Sequence, residues 1–506
     1  MSTPQPEAPT PPETPLAAAQ SPGRPCSGAA SGAPAAPARP LPSTGAVTGV
    51  LEALAFFRDP SFAQQRFEEH GNVFATRLLG QPLVFIRGGR AIGDLLAQSD
   101  GCEGWWPASV RQLLGSRSLA NRNGADHRAR RRVVGQLFSA AALRRYSPSI
   151  VALVDELAAE LAAATTPVSL VDRLRRFAFS VIASVVLGLD GDDREALFHD
   201  FELWTRALFS LPLALPGTPF ARALQARGRL LERLGAVLRR SRERAAAGAP
   251  LPGGLDLLSG GLDEAGLPLD DEDLVEQLLL LLFAGYETTA SSLSCLITAW
   301  LRHPELEPWL RPELDSLPWP PPPEQAASAY DAASAPRLAA LISEVMRLNP
   351  PVGGFFRRTT RDLVLDGVLV PADQVVQVAL AASNRHRDIA GPAAAGPNDP
   401  TERTTEASQS PHPGQPADNS DDLERFRPQR HLEGAPGPTL LPFGGGERVC
   451  LGKALAELEI RLMAVGLLGR LRLRLEPADQ DLSLQLIPSP SPRGGLLVLG
   501  STMAGS

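Results

Sequence analysis

The chain has 506 residues, a net charge of −7 and 43% hydrophobic residues. That is enough apolar mass for a large core and too little positive charge for bulk attraction to nucleic acid. Its four cysteines (Cys26, Cys102, Cys295 and Cys450) are widely spaced and form no CxxC pair, which argues against a disulfide framework or a zinc ribbon and fits a reducing cytosol.

Residues 1–45 contain twelve prolines among much Ala, Ser and Gly. Such a composition cannot bury enough apolar surface to offset ordering entropy, so a disordered tail is expected there, with a single domain over 46–506. No N-terminal basic stretch precedes an apolar one, so no signal peptide is expected. Val73–Leu79 and Pro82–Arg87 read as a hairpin turning at Gly80-Gln81. A Trp105-Trp106-Pro107 loop precedes His127-Arg-Ala-Arg-Arg131, where His127 and Arg131 are four apart and share a helix face. A solvated basic face is the plain alternative. Val151–Ala164 and Ala221–Ala247 carry the 3.6-residue period of amphipathic helices.

Asp270–Arg302 is the most apolar helix, with leucine on nearly every side over 278–282, as befits the middle of a core. Its longest apolar run, Leu278 to Gly285, is far short of the ~18 residues of a membrane span. Within it, Ala284-Gly-Tyr-Glu-Thr-Thr289 sets a glycine where it costs about 1 kcal/mol against alanine. Bulk must be absent at Gly285 if a ligand packs on the helix. Glu287 and Thr288 follow, and buried they need partners. Either the threonine bonds back to a carbonyl and bends the helix, or acid and alcohol form a proton relay.

Pro318–Pro323 is a loop. In Leu341–Pro351, Glu344 and Arg347 lie three apart on one helix face, and the helix ends near Asn349 before two prolines. Leu363–Val370 reads as a hairpin with Asp366-Gly367 at its turn. Ala390–Asp422 has no Leu, Ile, Val, Phe, Met, Trp or Tyr in 33 residues and reads as a disordered surface insertion. Near the C-terminus, Leu441-Pro-Phe-Gly-Gly-Gly-Glu-Arg-Val-Cys-Leu-Gly452 sets Cys450 in a glycine-dense loop before a helical pattern and close to Arg448. Both surroundings favour the thiolate, the form that binds metal. The glycines let backbone approach a flat group closely. The chain is expected to be mainly α with a small β region.

The last segment resembles the haem-binding loop of the cytochrome P-450 family, Phe-x-x-Gly-x-Arg-x-Cys-x-Gly, with Phe443, Gly446, Arg448, Cys450 and Gly452 at every fixed position. Ala284–Thr288 is similar to that family's Ala/Gly-Gly-x-Asp/Glu-Thr motif, and Glu344–Arg347 to its Glu-x-x-Arg helix. The third member of that scaffold, an arginine in Pro-Glu-Arg-Phe, matches Arg425 in Asp422-Leu-Glu-Arg-Phe426, with Leu423 in place of the proline. The resemblance spans roughly 46–500 apart from the insertion.

What the resemblance implies is a triangular helical prism with haem b between the central (I) helix and the C-terminal (L) helix. Cys450 is then the axial ligand of the iron. Arg448, His127, Arg131 and Arg357 (or its neighbour Arg358) are partners of the propionates, and Phe443, Gly444, Gly452 and Gly285 are further cofactor contacts. Thr288 and Glu287 deliver protons during cleavage of dioxygen. Glu344, Arg347 and Arg425 form a buried structural triad that fixes the cysteine loop.

The implied activity is haem-thiolate monooxygenation. The alternatives are a haem-thiolate peroxygenase or isomerase, against which the Glu287-Thr288 pair counts, and a non-catalytic haem sensor. Electrons come from an external donor such as a ferredoxin, docked on the spare arginines among Arg122, Arg128, Arg130, Arg131, Arg132, Arg144 and Arg145. Glu103–Pro107, Asn123–Arg132 and Gly353–Arg357 look most like a soluble cyanobacterial branch related to retinoic-acid hydroxylases. That implies an elongated apolar substrate, an isoprenoid, retinoid or apocarotenoid, against Trp106, Ala284, Val352 and Phe355. A cytoplasmic monomer of bacterial type is expected, without a transmembrane segment or a nucleic-acid partner.

Overall fold

The computed structural model describes residues 38–45, 62–78, 81–208, 210–249, 253–258, 261–386, 423–433 and 441–503, with scattered positions between 52 and 59. The proposed insertion over 390–422 and most of the proline-rich tail lie outside the described residues. The end of the expected tail does not behave as one. Arg39 bridges Val368 and Ser43 bridges Ala75, and the Arg39 N–H donates to the Gly367 carbonyl at 2.8 Å. The folded unit runs from Arg39 onward.

The main helices are α1 (Gly124–Gly135), α2 (Ala140–Ala163), α3 (Leu170–Val185), α4 (Gly191–Thr205), α5 (Pro219–Ala246), α6 (Asp271–Arg302), α7 (Pro336–Leu348) and α8 (Lys453–Leu468). Their ends follow local chemistry. Asp270 caps α6 by accepting the Asp273 N–H at 2.8 Å. Asp271, Glu272 and Asp273 fill its first turn, where carboxylates face the positive end of the helix dipole. Thr218 caps α5 and Pro219 opens it. α2 begins eleven residues before the expected Val151 and keeps Pro148 inside.

Five strands form the larger sheet: β1 (Val73–Leu78), β2 (Gln81–Ile86), β3 (Cys102–Gly104), β4 (Gly354–Thr359) and, after the hairpin β5 (Leu363–Leu365) and β6 (Val368–Val370), β7 (Val375–Ala379). Their order is β1-β2-β7-β4-β3. Leu78 pairs with Gln81, so Gln81 belongs to the strand and not to the turn. In the β5–β6 hairpin, Asp366 (φ 46°) and Gly367 (φ 72°) both take left-handed backbone, as a tight two-residue turn requires.

α6 is the axis of the helical layer. It packs against α3, α5, α7 and α8. By length and composition it is the one described helix able to cross a membrane, but 67% of its most apolar window is buried in the fold. Its apolar circumference is therefore used on neighbouring helices.

Candidate active site

Between α6 and the loop ahead of α8 lies a cavity of about 870 Å³. Cys450, Phe443, Gly444, Gly452 and Arg448 line it from the loop side; Ala284, Gly285, Glu287 and Thr288 line it from α6. Trp106, His127, Arg131, Val352, Phe355 and Arg357 complete the wall among the expected residues. Segments more than 300 residues apart thus meet at one space.

The loop is held by its backbone. The Cys450 N–H donates to the Phe443 carbonyl at 2.9 Å. Gly444 and Gly446 have φ of 70° and 67°, where a side chain would be strained. Cys450 is exposed, and the space it faces is the cavity. Burial pushes its thiol above the ordinary value, although the Gly452 N–H and Arg131 pull the other way. Arg448 is turned elsewhere, donating to the Arg122 carbonyl and to Asn123 Oδ1.

His127, Arg131, Arg357 and Arg448 crowd one side of the cavity with no salt bridge to any of them among the described residues. Burial and the three arginines hold the His127 imidazole down at about 4. Burial and Arg448 bring Arg357 down to about 10. Buried cations without counter-charges are costly, so this wall is built for an anion, and the two propionates of haem fit it. Arg358 is not an alternative: it is exposed and its Nε donates to Asp373 at 2.7 Å.

On α6 the expected acid and alcohol do not touch each other through any hydrogen bond between their side chains. Thr288 donates to the Ala284 carbonyl at 2.7 Å, the local back-bond, which leaves its lone pairs to accept from the cavity. Glu287 is gripped at two points by Arg175 of α3, at 2.9 and 3.2 Å. Gly285 borders the cavity, but a Cβ there would meet Ile182 Cγ1 at 2.8 Å. Its missing side chain makes room for α3 and not for a ligand.

The structural triad also needs a correction. Glu344 and Arg347 are fully buried and paired, Nε to Oε2 at 2.8 Å. The third cation is Arg430, whose Nε lies 3.0 Å from Glu344 Oε1, with His431 Nε2 2.9 Å from Oε2. The Arg425 side chain is exposed, and only its carbonyl takes part, accepting from Arg347 and Arg430.

Sequence reasoning passed over Arg175, Asn123, Thr289 and Glu459. Glu459 follows Cys450 by nine residues on α8 and is 1% exposed. The available signal was a lone acid among Leu458, Ile460 and Leu462 on an otherwise apolar helix. Of the arginines considered for docking, Arg122, Arg130 and Arg145 are spent on Asp273, Asp126, Glu264 and Asp256. Arg128, Arg132 and Arg144 remain exposed.

The family model described as cytochrome P450 matches residues 40–389 and 421–496. A Synechocystis sp. protein named as cytochrome P-450 120 is 32% identical over 448 residues, covering 88% of this chain and 93% of that protein. Cytochrome P-450 26B1 of Danio rerio is 31% identical over 88% of this chain and 83% of its own length. Cytochrome P-450 26C1 of Homo sapiens is 32% identical over 86% and 83%. The solved structure of retinoic-acid-bound cyanobacterial CYP120A1 superposes with a TM-score of 0.76 at 30% identity, over 92% of this chain and all of that one.

Proposed function

The chain belongs to the cytochrome P-450 family, and on that premise we propose that it inserts one oxygen atom from dioxygen into an elongated apolar substrate of isoprenoid type. The class of chemistry is shared by the family: a haem-thiolate monooxygenase with haem b and dioxygen. The finer reading, a retinoid or apocarotenoid substrate, draws support from the retinoic acid bound by the structural relative.

The observation that carries this reading is the convergence of one thiol, Cys450, with three arginines free of salt bridges, Arg131, Arg357 and Arg448, and the imidazole of His127 on a single cavity. Cys450 would hold the iron, and His127 with the three arginines the propionates, with Phe443, Gly444 and Gly452 against the macrocycle. Bound there, a thiolate-ligated haem supplies the oxygen-cleaving chemistry, the sulfur pushing electron density toward the metal. The chain's own contribution is to position and protonate. Thr288 offers acceptor lone pairs to the cavity from a hydroxyl anchored on Ala284. Glu287 keeps a carboxylate beside it, fixed by Arg175. Trp106, Ala284, Val352 and Phe355 give the substrate an apolar wall that excludes water.

An external donor such as a ferredoxin supplies electrons, and the exposed Arg128 and Arg132 offer it a positive face. A monomer in a bacterial-type cytoplasm completes the proposal. The deciding experiment is a reduced carbon monoxide difference spectrum of wild type and Cys450→Ala. A red-shifted Soret band that disappears in the variant supports the assignment; wild-type protein that binds no haem overturns it. Titration with all-trans-retinoic acid should then move the spin state, and a flat response over a retinoid and apocarotenoid series would remove the substrate reading alone.

A further inference from the structure

Part of the cavity wall comes from the short helix Ala108–Leu114 and the chain on either side of it. Trp105, Trp106, Leu114, Leu119 and Ala120 border the cavity there. Apolar burial alone is non-directional and leaves such a wall free to slide. Directional bonds pin this one from positions outside the cavity lining. Gln277 of α6, fully buried, accepts the Leu119 N–H at 2.8 Å and donates to the Arg117 carbonyl at 2.7 Å. Beside it, Glu276 accepts the Arg117 N–H at 2.8 Å and is paired with Arg227 of α5. Arg227 Nε in turn donates to the Leu113 carbonyl at 2.9 Å. The chain crosses over this ion pair at Gly115, whose φ is 94° and where a Cβ would overlap both the guanidinium and the carboxylate.

Gln277 ties the wall to α6 alone. Arg227 adds a second helix, because among the described residues it is the only α5 side chain hydrogen-bonded to this wall. α5 also packs against α4, which lines the cavity through Glu202 and Thr205. The Arg227–Glu276 pair therefore joins the wall segment, α6 and the layer of α4 and α5. Both side chains are largely shielded, at 18% and 13% exposure, so salt and water screen the pair little. A guanidinium that bonds a carboxylate and a carbonyl at once is also held in one orientation.

We propose that Arg227 and Glu276 are positioning residues that fix the spacing between the 105–120 wall and α4, and through it which carbon of a long apolar substrate is oxidised. This rests on the monooxygenase reading. Neither side chain borders the substrate space; both act through Leu113, Gly115 and Arg117. A long apolar chain offers few polar handles, so the shape of the walls sets its register in the site. A misplacement of about 1 Å costs up to about a hundredfold at the reacting atom.

The test uses the haem-loaded protein as wild type, Arg227→Met, Arg227→Lys, Glu276→Gln and, as a control, Arg242→Met, which removes an exposed ion pair between the same two helices. Hydrogen exchange reads the pin without turnover: Arg227→Met should speed exchange of the Arg117 and Leu119 amides about tenfold or more, and Arg242→Met should not. With retinoic acid and a ferredoxin system, Arg227→Met should weaken the spin-state titration about fivefold or more and spread product over more positions, with kcat within about twofold of wild type. Arg227→Lys keeps the charge without the second bond and should lie between the two. The Arg227→Met/Glu276→Gln double variant should be no worse than the worse single one, because the two side chains act as a unit. Wild-type exchange and a wild-type product pattern in Arg227→Met overturn the proposal, and so does equal loosening in Arg242→Met. If Arg227→Met fails to retain haem, Arg227→Lys and Glu276→Gln carry the same readouts, and wild-type results in both overturn it. Absence of haem or of product in wild type would instead sink the functional reading.

Discussion

Arg430 Nε lies 3.0 Å from Glu344 Oε1, although 86 residues separate them in the chain. Glu344 is completely buried, and losing one buried charge partner is destabilising by up to about 3–5 kcal/mol, here with Arg347 and His431 still in place. Arg430→Ala should therefore lower the melting temperature sharply and release haem. Arg425→Ala, which keeps its carbonyl, should stay within about 0.5 kcal/mol of wild type. Equal effects in a thermal melt would refute the reassignment.

The misplaced arginine shows what was legible in the sequence and what was not. The cysteine loop, the central helix and the Glu344–Arg347 pair are each written in adjacent residues, and the structure sets the loop and central-helix residues on a common cavity. Arg425 precedes the short turn Pro428–His431 and Arg430 sits within it, and which one turns inward depends on packing against α7 that no local pattern encodes. Gly285 failed similarly, because Ile182 takes its space from a helix a hundred residues earlier.

Gly285→Ala places a methyl group 2.8 Å from Ile182 Cγ1. Overpacking of this kind costs about 1–3 kcal/mol. Ile182→Val removes Cδ1, the other atom that the methyl would meet, and should restore part of the loss. A double-mutant cycle by urea unfolding should give a coupling of at least about 0.5 kcal/mol. Additive effects would mean that the glycine serves something other than the contact between α3 and α6.

Arg128 and Arg132 share one face of α1 and are exposed. Reversing both charges should slow reduction by an acidic ferredoxin about tenfold or more at low salt, with the difference shrinking as ionic strength rises. Stopped-flow reduction under carbon monoxide reads this directly. A salt-independent defect would point to damage elsewhere.

Two pH windows separate the scaffold from the cofactor wall. Burial raises the Glu344 carboxyl, but hydrogen bonds from Arg347 and His431 more than offset it and bring it to about 2, against 4.5 ordinarily. Its stabilisation is present above the unfolded value and is lost as pH falls from about 4.5 toward 2. His127 is held at about 4, against 6.5 ordinarily, by burial and the surrounding arginines. Here the unfolded chain takes up the proton first, so haem-free protein should lose stability earlier, as pH falls from 6.5 toward 4. His127→Gln should flatten only that upper window. Loading haem should flatten it too, because two carboxylates beside the imidazole favour its charged form. Urea midpoints of haem-free and haem-loaded protein between pH 4 and 7 test the point. An identical slope in both forms would remove His127 from the propionate wall and leave that side of the cavity to the three arginines.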